Sequence, residues 1–169
     1  MKKMDTKTIA IMALYCALFV ILDRVSDALN LFTMASGGKL NFGPIALLMC
    51  SYHLGYKNGL FVGLVSVLLQ LAIGSVKFYG IYSFLLDYLV AYAVYGIASL
   101  FPNYKYLYTG VIITSLIRLA SSTLSGVLLW ETPIWASLTY NASYMVPTTL
   151  CAIILVPILC ERLKKYMVR

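Results

Sequence analysis

Charge is scarce in this sequence of 169 residues: 11% are Asp, Glu, Lys or Arg, while 62% are hydrophobic. A soluble domain carries about 25% charged residues and about 45–50% apolar ones, so the chain departs from that class on both counts. A mean hydropathy of +0.87 points the same way. Also missing are HExxH, a phosphate-binding loop and GxSxG, the short motifs that carry zinc, nucleotide and acyl-transfer chemistry. The chain therefore holds no nucleotide site to power pumping and no plausible nucleophile–base set, and it does not read as an enzyme. Its single histidine, His53, falls at a predicted span end and carries no catalytic or metal role. The four cysteines, Cys16, Cys50, Cys151 and Cys160, lie in or at the ends of apolar runs without CxxC spacing, so they read as small buried hydrophobes. No cofactor and no metal are implied.

What is present is apolar length that recurs to the C-terminus, which a signal peptide does not produce. Six membrane-spanning helices are predicted over 8–29, 40–54, 59–74, 81–101, 107–130 and 138–160. The second and third are short and are separated only by the turn "GYKNG". No linker or low-complexity segment divides the chain, so residues 1–169 read as a single transmembrane domain of the all-α class. A net charge of +7 does not indicate nucleic acid, because the basic residues flank the apolar runs. With a cytoplasmic N-terminus the inside holds Lys2, Lys3, Lys7, Lys57, Lys105, Arg162, Lys164, Lys165 and Arg169, and the outside Arg24, Lys39 and Lys77. Nine against three is a positive-inside bias. Six spans then return the C-terminus to the cytoplasmic side.

At membrane depth two ionisable groups are read, Asp87 and Arg118. Such groups cost several kcal/mol and normally face a bundle interior or a cavity. Either the two form a structural ion pair, or Asp87 faces a cavity and neutralises a cationic ligand. Helical spacing puts Asp87, Ala91 and Tyr95 on one face of the fourth span, flanked by Tyr88 and Tyr92. Ser115, Arg118, Ser122 and Ser125 form a polar stripe on the fifth, closed by Trp130, and Asn141, Tyr144 and Thr148 form another on the sixth. Gln70 adds a polar group to the third. Stripes of this kind serve either interhelical hydrogen bonding or the lining of a small-molecule pocket. Small residues at i, i+4 (Gly55, Gly59 and Gly63, and separately Ala13 and Ala17) mark close helix approach, within the chain or to another membrane protein. Gly37 and Gly38, in "LFTMASGGKLNFGP", suit either a flexible loop or a lid over the pocket.

The stretches "VILDRVS", "GGKLNFGPIAL", "GLVSVLLQLAIGS", "LLDYLVAYAVYGIASLF", "RLASSTLSGVLLW" and "TPIWASLTYNASYMVP" cover most of the chain. In that order they resemble the thiamine-specific substrate-binding subunits (S-components) of energy-coupling factor vitamin transporters. The resemblance implies a six-helix bundle in the bacterial plasma membrane and a vitamin pocket near the outer face. Its implied partners are a shared transmembrane coupling protein and two ATPase subunits, with Ala13 and Ala17 as the motif that docks the coupling protein. It also implies that Asp87 faces the cationic thiazolium ring, that Tyr88 follows it, that Trp130 stacks on the ligand and that Asn141 bonds the aminopyrimidine. A cationic heterocycle suits a carboxylate and aromatic faces, and an aminopyrimidine edge suits an amide.

The chain departs from the family where Ser122 replaces a histidine four residues after Arg118, and where Ala136 stands near a family tyrosine. Trp135 is the substitute suggested for a lost contact, and Tyr144, Ser122 and Gln70 complete the expected ligand set. The implied function is a thiamine-binding subunit of an ATP-driven importer. A thiamine precursor or other vitamin as ligand, and a ligand-free structural membrane protein, are the alternatives.

Overall fold

The computed structural model describes residues 5–34, 37–76, 78–163 and 165. Lys2, Lys3, Lys77, Lys164 and Arg169, counted above for orientation, lie outside the described residues. Six helices follow in chain order: α1 (Thr6–Leu29), α2 (Gly43–Leu54), α3 (Tyr56–Ala72), α4 (Ile81–Leu100), α5 (Thr109–Trp130) and α6 (Ile134–Leu163). A two-stranded hairpin, β1 (Asn103–Tyr104) with β2 (Leu107–Tyr108), joins α4 to α5.

Length sorts the helices. Four of them, α1, α4, α5 and α6, are long and apolar enough to cross a bilayer. With 12 residues, α2 reaches only about 18 Å, short of the ~30 Å hydrocarbon layer. It is therefore surrounded by protein: every residue from Gly43 to Ser51 is buried, and α2 packs on α1, α3, α4 and α6. An all-round apolar helix has no solvent face to present, and this one forms the centre of the bundle. Pro44 starts it at a position where a missing N–H costs nothing. Asn30 ends α1 in the left-handed region, its N–H returning to the Ser26 carbonyl.

The glycine spacing resolves into two roles. Gly59 faces α4 so closely that a Cβ there would run into the Gly96 carbonyl, and a Cβ on Gly63 would meet the Ala93 backbone at 3.1 Å. These glycines pack within the chain. Gly55 is not part of that seam: at φ 82° and with open space around it, it makes the turn between α2 and α3. Ala13 and Ala17, in contrast, are exposed on α1 beside Leu14 and Leu18.

The α4 segment is not a uniform helix. Phe84–Val90 forms a wide π turn and Val94–Leu100 a tight 3₁₀ run. In α6, Pro147 and Pro157 lie inside a 30-residue helix, each removing one backbone hydrogen bond. The helix begins earlier than its hydropathy predicts, because the Pro133 carbonyl accepts from the N–H groups of Ala136 and Ser137.

Gly59→Leu is expected to lower the unfolding midpoint of the detergent-solubilised protein by an amount equivalent to about 1–3 kcal/mol, the cost of overpacking a closed seam. A thermal-shift measurement reads this, and an unchanged midpoint would show that α3 and α4 are not locked at Gly59.

Candidate functional site

At one end of the bundle the helices part around a cavity of about 950 Å³. Its wall is built from the C-terminal halves of α1, α3 and α5 and the N-terminal halves of α4 and α6. These halves all lie at the same end of a six-helix up-and-down bundle. The loop between α1 and α2 contributes Thr33, Gly37, Gly38 and Lys39 to the mouth.

Asp87 lies on this wall, in the π turn of α4. Successive residues of an α-helix diverge by about 100°, whereas the wider turn carries both Asp87 and Tyr88 to the cavity. Such turns recur at functional sites. Asp87 Oδ2 accepts from Ser125 Oγ of α5 at 2.6 Å and from Ser83 Oγ, one turn earlier in α4, at 3.0 Å. Two hydroxyls from two helices thus hold the carboxylate in place.

The ion-pair reading of Asp87 and Arg118 is not what forms. Among the described residues no ion pair joins them, and Arg118 is surrounded by tyrosines. Its guanidinium lies 4.8 Å from the Tyr92 ring centre and 5.6 Å from that of Tyr95, and Nη1 donates to Tyr95 Oη at 3.4 Å. Cation–π contact of this kind holds a buried cation without a carboxylate partner. The predicted Asp87–Ala91–Tyr95 face is corrected as well. Ala91 and Tyr95 are buried in the core, and it is Tyr88 and Tyr92 that share the cavity wall with Asp87. Phe84, Tyr88 and Tyr92 form a column along α4, with rings 6.4 Å apart and interplanar angles of 24° and 16°.

Most of the other predicted residues converge here. Trp130 and Gln70 line the cavity, as do Ser122, Asn141 and Tyr144. Trp130 meets Tyr79 edge to face at 5.2 Å. Tyr144 Oη donates to Asn141 Oδ1 at 2.6 Å, and Asn141 Nδ2 donates to the Ser137 carbonyl at 2.9 Å. Trp135 is the exception: it is 75% exposed and stands outside the cavity lining. It lies in the first turn of α6, one residue before Ala136, which does line the cavity, so the helical rotation aims it outward. Ser115, the first member of the α5 stripe, faces a small apolar crevice between α5 and α6. Thr148 sits deeper and accepts from the Asn41 backbone N–H at 3.1 Å.

The count of two ionisable groups at depth was too low. Asp23, in α1, is 2% exposed and lines the cavity. Asn41 Nδ2 donates to Asp23 Oδ1 at 2.7 Å and to Tyr92 Oη at 3.5 Å, while Asn41 Oδ1 accepts from the Gly43 N–H at 2.7 Å. The side-chain amide thereby ties α1, α2 and α4 together, and the backbone N–H of the same residue adds Thr148 of α6. Lys39 pairs with Asp23 at 3.5 Å and also with Asp27. Arg24 pairs with Asp27 at 3.4 Å and reaches Ser75 at the end of α3. Two of the charges counted for the outer side, Arg24 and Lys39, are thus built into the cavity mouth. Asp23 and Asp27 have i, i+4 spacing near the end of the first span, a signal the sequence offers. For Asn41, Tyr79 and Tyr92 the sequence offers no comparable mark. Gly38 packs on the Tyr144 ring, where no Cβ would fit, and its N–H donates to Tyr140 Oη at 3.3 Å. The glycine loop is therefore docked against the α6 wall.

Away from the cavity, His53 is buried and its Nδ1 lies 2.9 Å from Tyr15 Oη. Among the described residues no cluster of His, Cys, Asp or Glu could hold a metal.

The arrangement of a fixed carboxylate, aromatic walls and a few oriented amides and hydroxyls suits a small organic cation. Comparison with known proteins agrees in kind. The family described as "Thiamine transporter protein (Thia_YuaJ)" matches residues 9–168. A relative named "Thiamine transporter ThiT", from Bacillus subtilis (strain 168), is 36% identical, with 85% of each chain covered. The fold is similar to that of a solved ThiT from Listeria monocytogenes, with a TM-score of 0.74 at 19% identity, covering 95% of this chain and 98% of that one. With its apolar helices and this match over nearly its whole length, the chain belongs to the thiamine transporter family and is a multi-pass protein of the bacterial plasma membrane.

Proposed function

We propose that the chain is the thiamine-binding subunit of an ATP-driven importer of the energy-coupling factor type, taking the vitamin from outside. The observation that carries this reading is the position of Asp87: a carboxylate on the wall of a cavity among apolar helices, hydrogen-bonded by serines and not paired with Arg118. A quaternary thiazolium placed there supplies the missing positive charge, in surroundings where the attraction is stronger than in water. Tyr88, Tyr79 and Trp130 provide aromatic surface around it. Asn141, already oriented by Ser137 and Tyr144, reads the aminopyrimidine edge. Ser122, Tyr144 and Gln70 complete the polar lining.

The outward orientation rests on charge. The cavity lies at the end of the bundle away from Lys7, Lys57, Lys105, Arg162 and Lys165, and basic residues favour the cytoplasmic side. The chain carries no nucleotide motif, so the energy comes from partners: a shared transmembrane coupling protein and two ATPases. Ala13 and Ala17 offer the docking seam. Both are exposed, small and four residues apart on α1.

Asp87→Asn is expected to weaken thiamine binding by about 2–4 kcal/mol, or about 30- to 1000-fold, with little change in unfolding midpoint. Isothermal titration against thiamine and against a neutral isostere, its ring nitrogen replaced by carbon, separates charge from shape. Equal affinity of wild type for both ligands would refute the charge argument.

The two tryptophans give an optical test of the pocket. Thiamine should quench Trp130 fluorescence, so Trp130→Phe loses the signal while Trp135→Phe keeps it. The reverse result would place the ligand elsewhere. Ala13→Leu with Ala17→Leu should leave thiamine affinity within about twofold yet reduce uptake into proteoliposomes holding the whole complex at least about tenfold, a loss of coupling of about 1.4 kcal/mol or more. Normal uptake would remove the docking role from this seam.

A further inference from the structure

The end of the bundle opposite the cavity carries a feature that vitamin binding does not use. The connection between α4 and α5 reads "NYKYLY", and it folds as a hairpin with Asn103 opposite Tyr108 and Tyr104 opposite Leu107. Its base is fixed. Tyr108 meets Tyr52 of α2 edge to face at 4.8 Å, Thr109 Oγ1 donates to the Pro102 carbonyl, and β2 packs on α6. Lys105, at the tip, takes φ 51° to close the turn. The fixed base leaves Tyr104 65% and Tyr106 74% exposed, with Leu107 and Leu100 also exposed beside them.

Two exposed tyrosines, a lysine and an exposed leucine in six residues make a poor water-facing loop. They suit the membrane–water boundary, where amphipathic rings and long basic side chains settle. The charge around the hairpin has one dominant sign. Lys7, Lys57, Lys105, Arg162 and Lys165 flank this end, against Asp5 and Glu161. At the cavity end, by contrast, Arg24 and Lys39 are taken up by Asp27 and Asp23.

We infer that this hairpin and its basic surround form a binding surface for anionic phospholipid headgroups, with Tyr104 and Tyr106 seated at the headgroup level and Lys105, Lys57 and Arg162 on the phosphates. The surface is independent of the vitamin cavity, which lies at the other end of the helices. In the orientation proposed above it faces the cytoplasmic leaflet. The headgroup affinity itself does not depend on that orientation.

The test uses the full chain reconstituted in vesicles of equal parts phosphatidylglycerol and phosphatidylcholine, then extracted in mild detergent, with bound phospholipid counted by mass spectrometry. Wild type should retain phosphatidylglycerol in preference to phosphatidylcholine, and Lys105→Gln should lower that preference about fivefold, in line with the contribution of one basic residue at an anionic surface. Tyr104→Ser with Tyr106→Ser should reduce total retained lipid while thiamine affinity stays unchanged. An equal preference in wild type and Lys105→Gln would overturn the proposal. A second measurement needs no variant. Phosphatidylglycerol added to the detergent-solubilised wild type should raise its unfolding midpoint where phosphatidylcholine does not, and the effect should shrink with salt. Equal stabilisation by both lipids would also overturn it, as would docking of a protein partner on this face that displaces no phosphatidylglycerol.

Discussion

A carboxylate among apolar helices is costly unless hydrogen bonds and a compensating charge reach it, and the cavity of this protein is organised around that cost. Asp87 is held by Ser83 from its own helix and Ser125 from the next. Its helix widens to a π turn at this point, so that the carboxylate and the Tyr88 ring reach the same wall. Among the described residues Arg118, the buried cation of the α5 stripe, forms no direct ion pair with it. Arg118 is stabilised by the faces of Tyr92 and Tyr95, which leaves Asp87 on the cavity wall without an ion pair among the described residues.

A second polar node holds the other side of the cavity. Asn41 stands where the α1–α2 loop enters α2, and its backbone and side chain bond to Asp23, Tyr92, Gly43 and Thr148. Lys39, two residues earlier, pairs with Asp23 and Asp27. Gly38 meets Tyr144, which in turn donates to Asn141. Displacing the loop therefore disturbs the amide proposed to read the ligand, so loop position and site geometry are parts of one network.

The rest of the bundle supplies rigidity. The short α2 is enclosed by protein on all sides, and α3 meets α4 through glycines where backbone touches backbone. In lipid, helices gain little from burying apolar area against each other, and close contact between small residues replaces it. The tight seams lie toward the end away from the cavity, where the hairpin also sits. The helices are consequently locked at one end and splayed at the other.

The sequence by itself determined the class, the number of helices and several of the lining residues. Apolar length, charge at the run ends and residues of helical period are local properties, and they survive without knowledge of packing. Asp87, Ser122, Trp130, Asn141 and Tyr144 were legible for that reason. What only the tertiary structure decided was which neighbours those groups have. A hydropathy pattern does not reveal that a helix changes pitch, so the face shared by Asp87, Tyr88 and Tyr92 was misassigned. It does not show which loop charge folds back against α1, so the pairing of Lys39 with Asp23 and Asp27 was not legible. Nor does it fix the rotation of a helix start, which turns Trp135 outward and Ala136 inward. Each of these depends on contacts between residues far apart in the chain, and such contacts exist only once the helices have packed.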